Sequence, residues 1–227
     1  MRGTGAARLT RGTIAMVGAL LAVASSRADE RCFDTTAAYG RPLREPFPVI
    51  ESGDDTRHGT YDTGIDWAAT RAVVRMPIET VMAKLLDHRN VKNMSKTELA
   101  TRCRDEPGPY LALCEVDVDV TVKALLLKLH VRWTEEWAYS LIAGTPEAPS
   151  QVVINYQKVA GTGHIRHQCG SYVLRSLAPA ATDVFLYDEI RAKRRSSTAT
   201  SEMHLGILRN IRQDARPTPG KDSASGP

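Results

Sequence analysis

The chain has 227 residues, of which 30 are Lys or Arg, 26 are Asp or Glu and 42% are hydrophobic. The excess of positive charge lies in the first 28 residues, which contain four arginines and no acidic residue. The rest of the chain is neutral, so its charge gives no reason to expect nucleic-acid binding, and its length suits one domain that buries a core without cross-links.

The first 28 residues have the pattern of a secretory signal peptide. Three arginines precede an apolar run from Ile14 to Ala24, and small residues follow. This run is too short to span a bilayer, which needs about 20 residues. We expect cleavage after Ala28 or after Ala24, and hence export to a periplasmic or extracellular compartment. A retained membrane anchor is the alternative.

Two segments outside the expected domain lack a regular pattern. Residues 29–59 are rich in Pro, Gly and charge and predict an irregular lead that ends as a linker. Residues 216–227 are typical of a disordered tail. The folded domain is therefore expected over residues 60–215.

The first predicted elements of this domain are a strand and a helix. β-branched residues favour a strand over Trp67–Met76. Pro77 then opens a helix whose apolar residues recur every third or fourth position and form a single stripe. The members of that stripe are Ile78, Val81, Met82, Leu85 and Leu86.

The middle of the chain predicts a series of antiparallel strands. In "CEVDVDVTV" valines alternate with polar residues, so one face is apolar and the other is solvated. The upstream strand "TELATRC" pairs with it in a register that places Leu99, Thr101 and Cys103 on the valine face. Further strands are predicted in "LHVRWTEEWAYSLI", "SQVVINYQKV", "GHIRHQCGSYVLRSL" and "TDVFLYDEIRAK". The last element is an amphipathic helix in "TSEMHLGILRNIRQDA", with Met203, Ile207, Leu208 and Ile211 on its apolar stripe.

The chain contains four cysteines, which tend to pair in an exported protein. Cys103 and Cys114 flank the turn signal Pro-Gly-Pro, and a hairpin would place them opposite each other. We therefore favour Cys103–Cys114, which leaves Cys32–Cys169 to tie the lead to the domain. Four unpaired buried cysteines are the alternative.

Two short motifs stand out in this order of elements, "VVRMPIETVMAKLLDHRN" over the first strand and helix and "CGSYVLRSLAPAATDVFLYDEIRA" over a later hairpin. Together with the order of the elements, they resemble the corresponding parts of the START-like, polyketide cyclase-like (SRPBCC) superfamily. Tyr172 stands where the family often has Trp, and "EIRAKRR" replaces the Asp-Pro-Gly commonly found after the last strand. The resemblance spans residues 61–215 and implies an α+β helix-grip fold, in which a curved antiparallel sheet of about six or seven strands surrounds a long C-terminal helix.

The resemblance also implies an apolar cavity that binds a lipid or another hydrophobic small molecule. We expect no cofactor and a monomer, with transient membrane contact where the ligand is transferred. The expected ligand-binding residues share the inward face of the predicted elements: Val118, Val120, Trp133, Glu135, Trp137, Tyr139, Ile154, Tyr156, His167, Tyr172, Met203, Ile207 and Ile211. If these side chains simply pack against one another, the chain is instead a structural or partner-binding envelope protein.

The segment "GHIRHQCG" contains two histidines and a cysteine. Along an extended strand His164 and His167 point to opposite faces, so a metal site would need a bulge or a helix and ligands from elsewhere. We expect no metal there, and we expect His167 to face the cavity or its rim. A bulge at Gly170 is predicted, because it would place His167 and Cys169 on the same face as Tyr172.

Carboxylates in the strands offer an alternative catalytic function. Glu135 shares a strand face with two tryptophans, and a cavity carboxylate can orient a ligand hydroxyl or act as a base. A cyclase, aromatase or hydrolase would need at least two titratable groups in the cavity, and the candidates are Glu135, His167 and Asp188. Asp117 and Asp119 alternate with valines and are expected to be solvated. The sequence contains no nucleophile motif or phosphate loop, so binding is favoured over catalysis.

Overall fold

The structure is a computed structural model of the protein. It describes residues 32–33, 41–43, 55–92, 97–104, 110–124, 127–193 and 197–213; for residues 122–124 and 127–129 it describes the backbone alone. The predicted signal peptide, the predicted tail and most of the lead lie outside the described residues. No helix in the described ranges combines the length and the apolar character needed to cross a membrane.

The described elements form one antiparallel sheet and three helices. In chain order they are β1 (Asp55–Thr60), β2 (Asp66–Val74), α1 (Ile78–Leu86), α2 (His88–Val91), β3 (Thr97–Arg104), β4 (Tyr110–Ala124), β5 (Leu127–Gly144), β6 (Pro149–Gly161), β7 (Ile165–Ala178), β8 (Ala181–Ala192) and α3 (Ser197–Arg212). The eight strands lie in the order β1-β2-β8-β7-β6-β5-β4-β3, and α3 packs against the sheet. The predicted α+β, helix-grip-like fold is confirmed.

β1 differs from the sequence interpretation, in which this stretch was the end of a linker. Its polar sequence "DTRHGT" carries no apolar alternation. The strand forms nevertheless because it pairs along its full length with β2, from Asp55 opposite Arg71 to Thr60 opposite Asp66. A tertiary partner, rather than local preference, decides its conformation.

The face of the sheet that packs against the helices is called the inner face. It carries Val116, Val118 and Val120 of β4, the aromatic residues of β5 and β6, and Val184, Leu186 and Ile190 of β8, all within one buried cluster. α1 contributes Ile78, Val81 and Leu85 to this cluster, and α3 contributes Ile207, Leu208 and Ile211. The predicted apolar stripes of both helices are therefore confirmed as the faces that they bury.

The opposite side, the outer face, was expected to be solvated, and this holds at the β3–β4 edge. There Asp117 and Asp119 form ion pairs with the exposed side chains of Arg102 and Arg132, at 2.7 and 2.6 Å. Such pairs contribute little to stability. These two carboxylates behave as the sequence predicted.

The centre of the outer face is buried instead, because residues 32–33 and 41–43 lie across it. The Gln157 side chain accepts hydrogen bonds from the backbone N–H groups of Cys32 and Phe33, at 2.8 and 3.2 Å. The Asn155 side chain donates to the Arg41 carbonyl at 2.9 Å. These contacts satisfy amides on the sheet that would otherwise be buried without partners.

Both predicted disulfides are present. Cys103 and Cys114 face each other in the β3–β4 ladder, as the hairpin register predicted. Cys32 and Cys169 join the N-terminal segment to β7 on the outer face. The second bridge therefore fastens the described part of the lead to the centre of the sheet.

The predicted bulge at Gly170 is wrong. Gly170 pairs with Tyr156 on one side and with Asp188 on the other without a shift of register. The irregularity lies earlier, between Ile165 and His167. Glycine is needed at position 170 for another reason, since a Cβ atom there would overlap the Asp188 carboxylate and the Tyr156 ring.

Candidate functional site

The inner face collects every expected ligand-binding residue except His167. Ten of the apolar and aromatic ones belong to the buried cluster, Met203 packs against it, and Glu135 is fully buried beside them. His167 lies on the outer face, because the irregularity between Ile165 and His167 reverses its direction relative to Ile165. The expectation that His167 faces the cavity or its rim is therefore wrong, because its ring lies beside Glu189 and Cys169 on the outer face.

A buried ion pair lies at the centre of the inner face. Lys92 Nζ lies 2.7 Å from Glu135 Oε1, and both side chains are at most 2% exposed. Trp133 Nε1 donates to Glu135 Oε1 at 2.7 Å, and Trp137 Nε1 donates to Oε2 at 2.9 Å. The ammonium group also lies 4.8 Å from the ring centre of Tyr156, within the range of a cation–π contact. Contacts with groups of the protein thus replace most of the hydration that the carboxylate and the ammonium group lose on burial.

A second buried network surrounds Asp188. Its carboxylate accepts hydrogen bonds from the hydroxyls of Tyr156 and Tyr172, and His204 Nε2 lies 2.6 Å from Oδ2. His204 Nδ1 in turn lies 2.9 Å from Thr70 Oγ1 on β2. Burial, together with the negative charge of Asp188, raises the pKa of both tyrosines well above its usual value. The network links α3 to four strands of the sheet, β2, β6, β7 and β8.

His88, at the start of α2, forms a third polar contact on the inner face. It is 2% exposed. Its Nε2 lies 3.2 Å from Tyr139 Oη, and its ring meets the edge of Trp137 at 4.8 Å between centroids. Desolvation, with the positive charge of Lys92 as a smaller cause, lowers the pKa of His88 to about 4. The imidazole is therefore neutral at physiological pH and acts as a hydrogen-bonding group rather than as a cation.

The low pKa of His88 predicts a loss of stability in acid. Below the ordinary histidine pKa of about 6.5 the unfolded chain binds a proton that the folded protein excludes until about pH 4, so the free energy of unfolding falls across this window. The expected loss from this residue is about 3 kcal/mol. Urea denaturation at several pH values should show it, and His88→Phe should remove that part of the pH dependence. An unchanged slope in the variant would contradict this assignment.

Solved structures of other proteins follow a partly similar course of the chain. The lipid transfer and protein localization domain of human StarD13 is 9% identical with a TM-score of 0.49, covering 75% of this chain and 88% of that one. The Zhui aromatase/cyclase from Streptomyces sp. R1128 is 15% identical with a TM-score of 0.37, covering 69% and 87%. A STAR-related lipid transfer protein from Xanthomonas axonopodis is 14% identical with a TM-score of 0.43, covering 70% and 97%. No protein-family model and no curated protein sequence matches the chain.

Pockets bounded by described residues lie at the margins of the inner face rather than among its central side chains. One of about 400 Å³ opens between α2 and β3 and is called the α2–β3 pocket. Its walls are Leu86, Asp87, His88, Arg89, Thr97, Leu99 and Thr101. A second, of about 500 Å³, lies along β3, β4 and β5 and shares Leu99 with the first. The central residues themselves are packed, with Trp137 stacked on Tyr156 at 4.3 Å between ring centres. In the part of the chain that the structure describes, the open space therefore lies at the margin of the inner face, in contrast to the cavity expected among these residues.

Sequence reasoning identified Glu135 and Asp188 but missed the groups that complete both networks. Lys92, His88 and His204 are buried polar residues on helices or at a helix end. In the sequence of a helix, a polar residue that lies within the buried stripe cannot be told apart from a polar residue that lies beside the stripe and is exposed. The one usable signal was His204, which falls one residue after Met203 and three before Ile207 on the predicted apolar side of α3.

Proposed function

We propose that the chain is an exported protein that binds a hydrophobic small molecule with one polar end, and that the ligand enters through the α2–β3 pocket. The observation that carries this proposal is the position of that pocket, whose walls include Leu99, which packs against the core cluster, and His88, which contacts Tyr139 on the inner face. Its volume of about 400 Å³ falls in the usual range of small-molecule sites, about 300–1,000 Å³.

The chemistry of the α2–β3 pocket supports an amphiphilic ligand. Leu86 and Leu99 provide apolar walls and pack against the core cluster. His88 and Thr101 provide hydrogen-bonding groups, with His88 Nδ1 3.4 Å from Thr101 Oγ1. The remaining walls, Asp87, Arg89 and Thr97, are charged or polar. In small-molecule sites apolar walls hold the apolar part of a ligand, and polar groups orient it. A lipid or a fatty acid combines the two features required.

Export is supported by two independent features of the chain. The described residues contain two disulfides, and disulfides persist mainly in oxidising compartments. The N-terminal sequence has the order of charge, apolar run and small residues that directs secretion.

Binding is favoured over catalysis because groups of the protein already contact the two interior carboxylates. Both oxygens of Glu135 and both oxygens of Asp188 already accept hydrogen bonds from the protein. A general base must reach a proton of the substrate, and these oxygens are directed at other side chains. We interpret the two networks as structural contacts that hold together the elements around the binding site.

Substitution of Leu99 with Arg tests the α2–β3 pocket. We expect a solvatochromic fatty-acid probe to bind the wild-type protein and to bind the Leu99→Arg variant at least about tenfold more weakly, a change of about 1.4 kcal/mol. The added charge would block an apolar wall of the pocket while leaving the edge strand in place. The matched control is Ala100→Arg, one residue further on β3 and exposed on the opposite face.

The control separates a specific effect from a general one. Binding should be retained in Ala100→Arg. Equal losses in the two variants would place the ligand elsewhere, and a wild-type protein that takes up neither fatty acids nor the probe would reject the proposed function.

A further inference from the structure

Four metal-ligating side chains meet on the outer face, away from the proposed ligand pocket. They are Cys32 in the N-terminal segment, His167 and Cys169 on β7, and Glu189 on β8, and their ligand atoms all lie within 4.8 Å of one another. His167 Nε2 lies 2.9 Å from Glu189 Oε1 and 3.6 Å from Cys169 Sγ. Cys32 Sγ lies 3.9 Å from the same ring nitrogen. We propose that this cluster is a two-state site, a disulfide when oxidised and a binding site for one Zn²⁺ ion when a dithiol has reduced Cys32–Cys169.

The fold assembles this cluster from three separate parts of the chain. Cys169 and Glu189 are directly opposite each other in the β7–β8 ladder. The irregularity between Ile165 and His167 turns His167 to the same face as Cys169. Gln157 holds Cys32 against that face by accepting a hydrogen bond from its backbone N–H. The bulge and the distant ligands that a metal site in "GHIRHQCG" requires are therefore both present.

The donor set fits zinc. Two thiolates, one imidazole nitrogen and one carboxylate oxygen are ligands that Zn²⁺ accepts in a tetrahedral structural site. Cys169 and Glu189 are at most 4% exposed and His167 is 9% exposed. A disulfide alone does not require a buried histidine–carboxylate pair beside it, and burying such a pair carries a desolvation cost.

Groups around the cluster fix the orientation of the ligands. Glu189 Oε2 accepts a hydrogen bond from the Tyr187 hydroxyl at 3.1 Å, and this hydroxyl lies 2.8 Å from that of Tyr61. The first contact leaves Oε1 of Glu189 directed at His167. Outer groups of this kind orient the ligands of metal sites.

The conversion between the disulfide and the zinc-bound state conserves electrons and protons. A dithiol transfers two electrons and two protons to the Cys32–Cys169 bond and becomes a disulfide itself, while Cys32 and Cys169 become thiols. Zn²⁺ then displaces one proton from each thiol, and both protons pass to solvent. His167 contributes a neutral ring nitrogen and Glu189 a carboxylate oxygen. In either state residues 32–33 stay fastened to the sheet.

The test measures zinc binding in the folded full chain with Cys103 and Cys114 replaced by Ser, which removes the other cysteine pair. After reduction with a phosphine, which forms no thiolate complex with the metal, we expect one Zn²⁺ per chain by competition with a chromophoric chelator. Co²⁺ should give a thiolate-to-metal charge-transfer band. The oxidised protein should bind neither ion at this site.

Variants decide whether the four residues act together. His167→Gln and Glu189→Gln should each weaken Zn²⁺ binding by at least about tenfold, the lower limit for loss of a supporting group around a metal. The matched control is His164→Gln, three residues before His167 and outside the cluster, which should bind as the parent does. Absence of zinc from the reduced parent, or unchanged affinity in both His167→Gln and Glu189→Gln, would overturn the proposal.

Discussion

Replacement of Lys92 with Met is expected to lower the free energy of unfolding by about 3–5 kcal/mol, the usual cost of leaving one partner of a buried ion pair without the other. In the variant, Glu135 keeps its hydrogen bonds from Trp133 and Trp137 but loses the cation 2.7 Å away. The double variant with Glu135→Gln removes the unpaired charge. It should therefore recover much of the loss in urea denaturation.

The control for this prediction is an exposed ion pair. Arg102 contacts Glu115 and Asp117 on the solvated edge of the sheet, and its side chain is 60% exposed. Arg102→Met should therefore unfold at nearly the wild-type urea concentration. A Lys92→Met protein as stable as Arg102→Met would show that the pair at the centre of the inner face is solvated rather than buried.

Replacement of Asp188 with Ala is expected to lower the free energy of unfolding by at least about 3 kcal/mol. The substitution leaves the hydroxyls of Tyr156 and Tyr172 and the imidazole of His204 without their common acceptor. Each buried polar group that loses its partner costs about 1–3 kcal/mol. Because His204 lies on α3, hydrogen exchange of that helix should increase as well.

Asp119→Ala provides the comparison for Asp188. Asp119 bonds Arg132 on the outer face, near solvent. Its replacement should leave the urea midpoint and the exchange of α3 close to wild type. If the two aspartates gave equal effects, the Asp188 network would not be what holds α3 to the sheet.

The strand pattern of the middle of the chain was readable from sequence because one physical rule governs it. Strict alternation in β4 separates a face packed on the core from one in water, and this fixed the pairing of Leu99 with Val118 and of Cys103 with Cys114. The stripes of α1 and α3 follow in the same way from helical periodicity.

The missed features depend on partners that a local pattern does not contain. β1 is polar and becomes a strand because β2 offers an edge. The bulge lies at Ile165–His167 rather than at Gly170, and the glycine at position 170 instead leaves room for Tyr156 and Asp188. The outer face is buried at its centre by residues 32–33 and 41–43, which have no regular secondary structure. Each of these outcomes is decided by contacts between distant parts of the sequence.

The candidate site was only half predictable for a related reason. Strand alternation places Glu135 and Asp188 on the inner face, because it specifies direction residue by residue. Strand alternation does not specify which side chains from other elements contact these two carboxylates. Lys92 reaches Glu135 across 43 residues of sequence, and His204 reaches Asp188 from the far end of the domain.

Native mass spectrometry of the protein, gently purified after expression of the whole sequence, measures export and ligand binding in one experiment. We expect the mass of a chain that lacks its first 28 or 24 residues, with a fraction carrying one hydrophobic molecule that collisional activation releases. We also expect the ligand-free fraction to take up one added fatty acid. A protein that carries no such molecule and remains ligand-free after incubation with a lipid extract would contradict the proposed function.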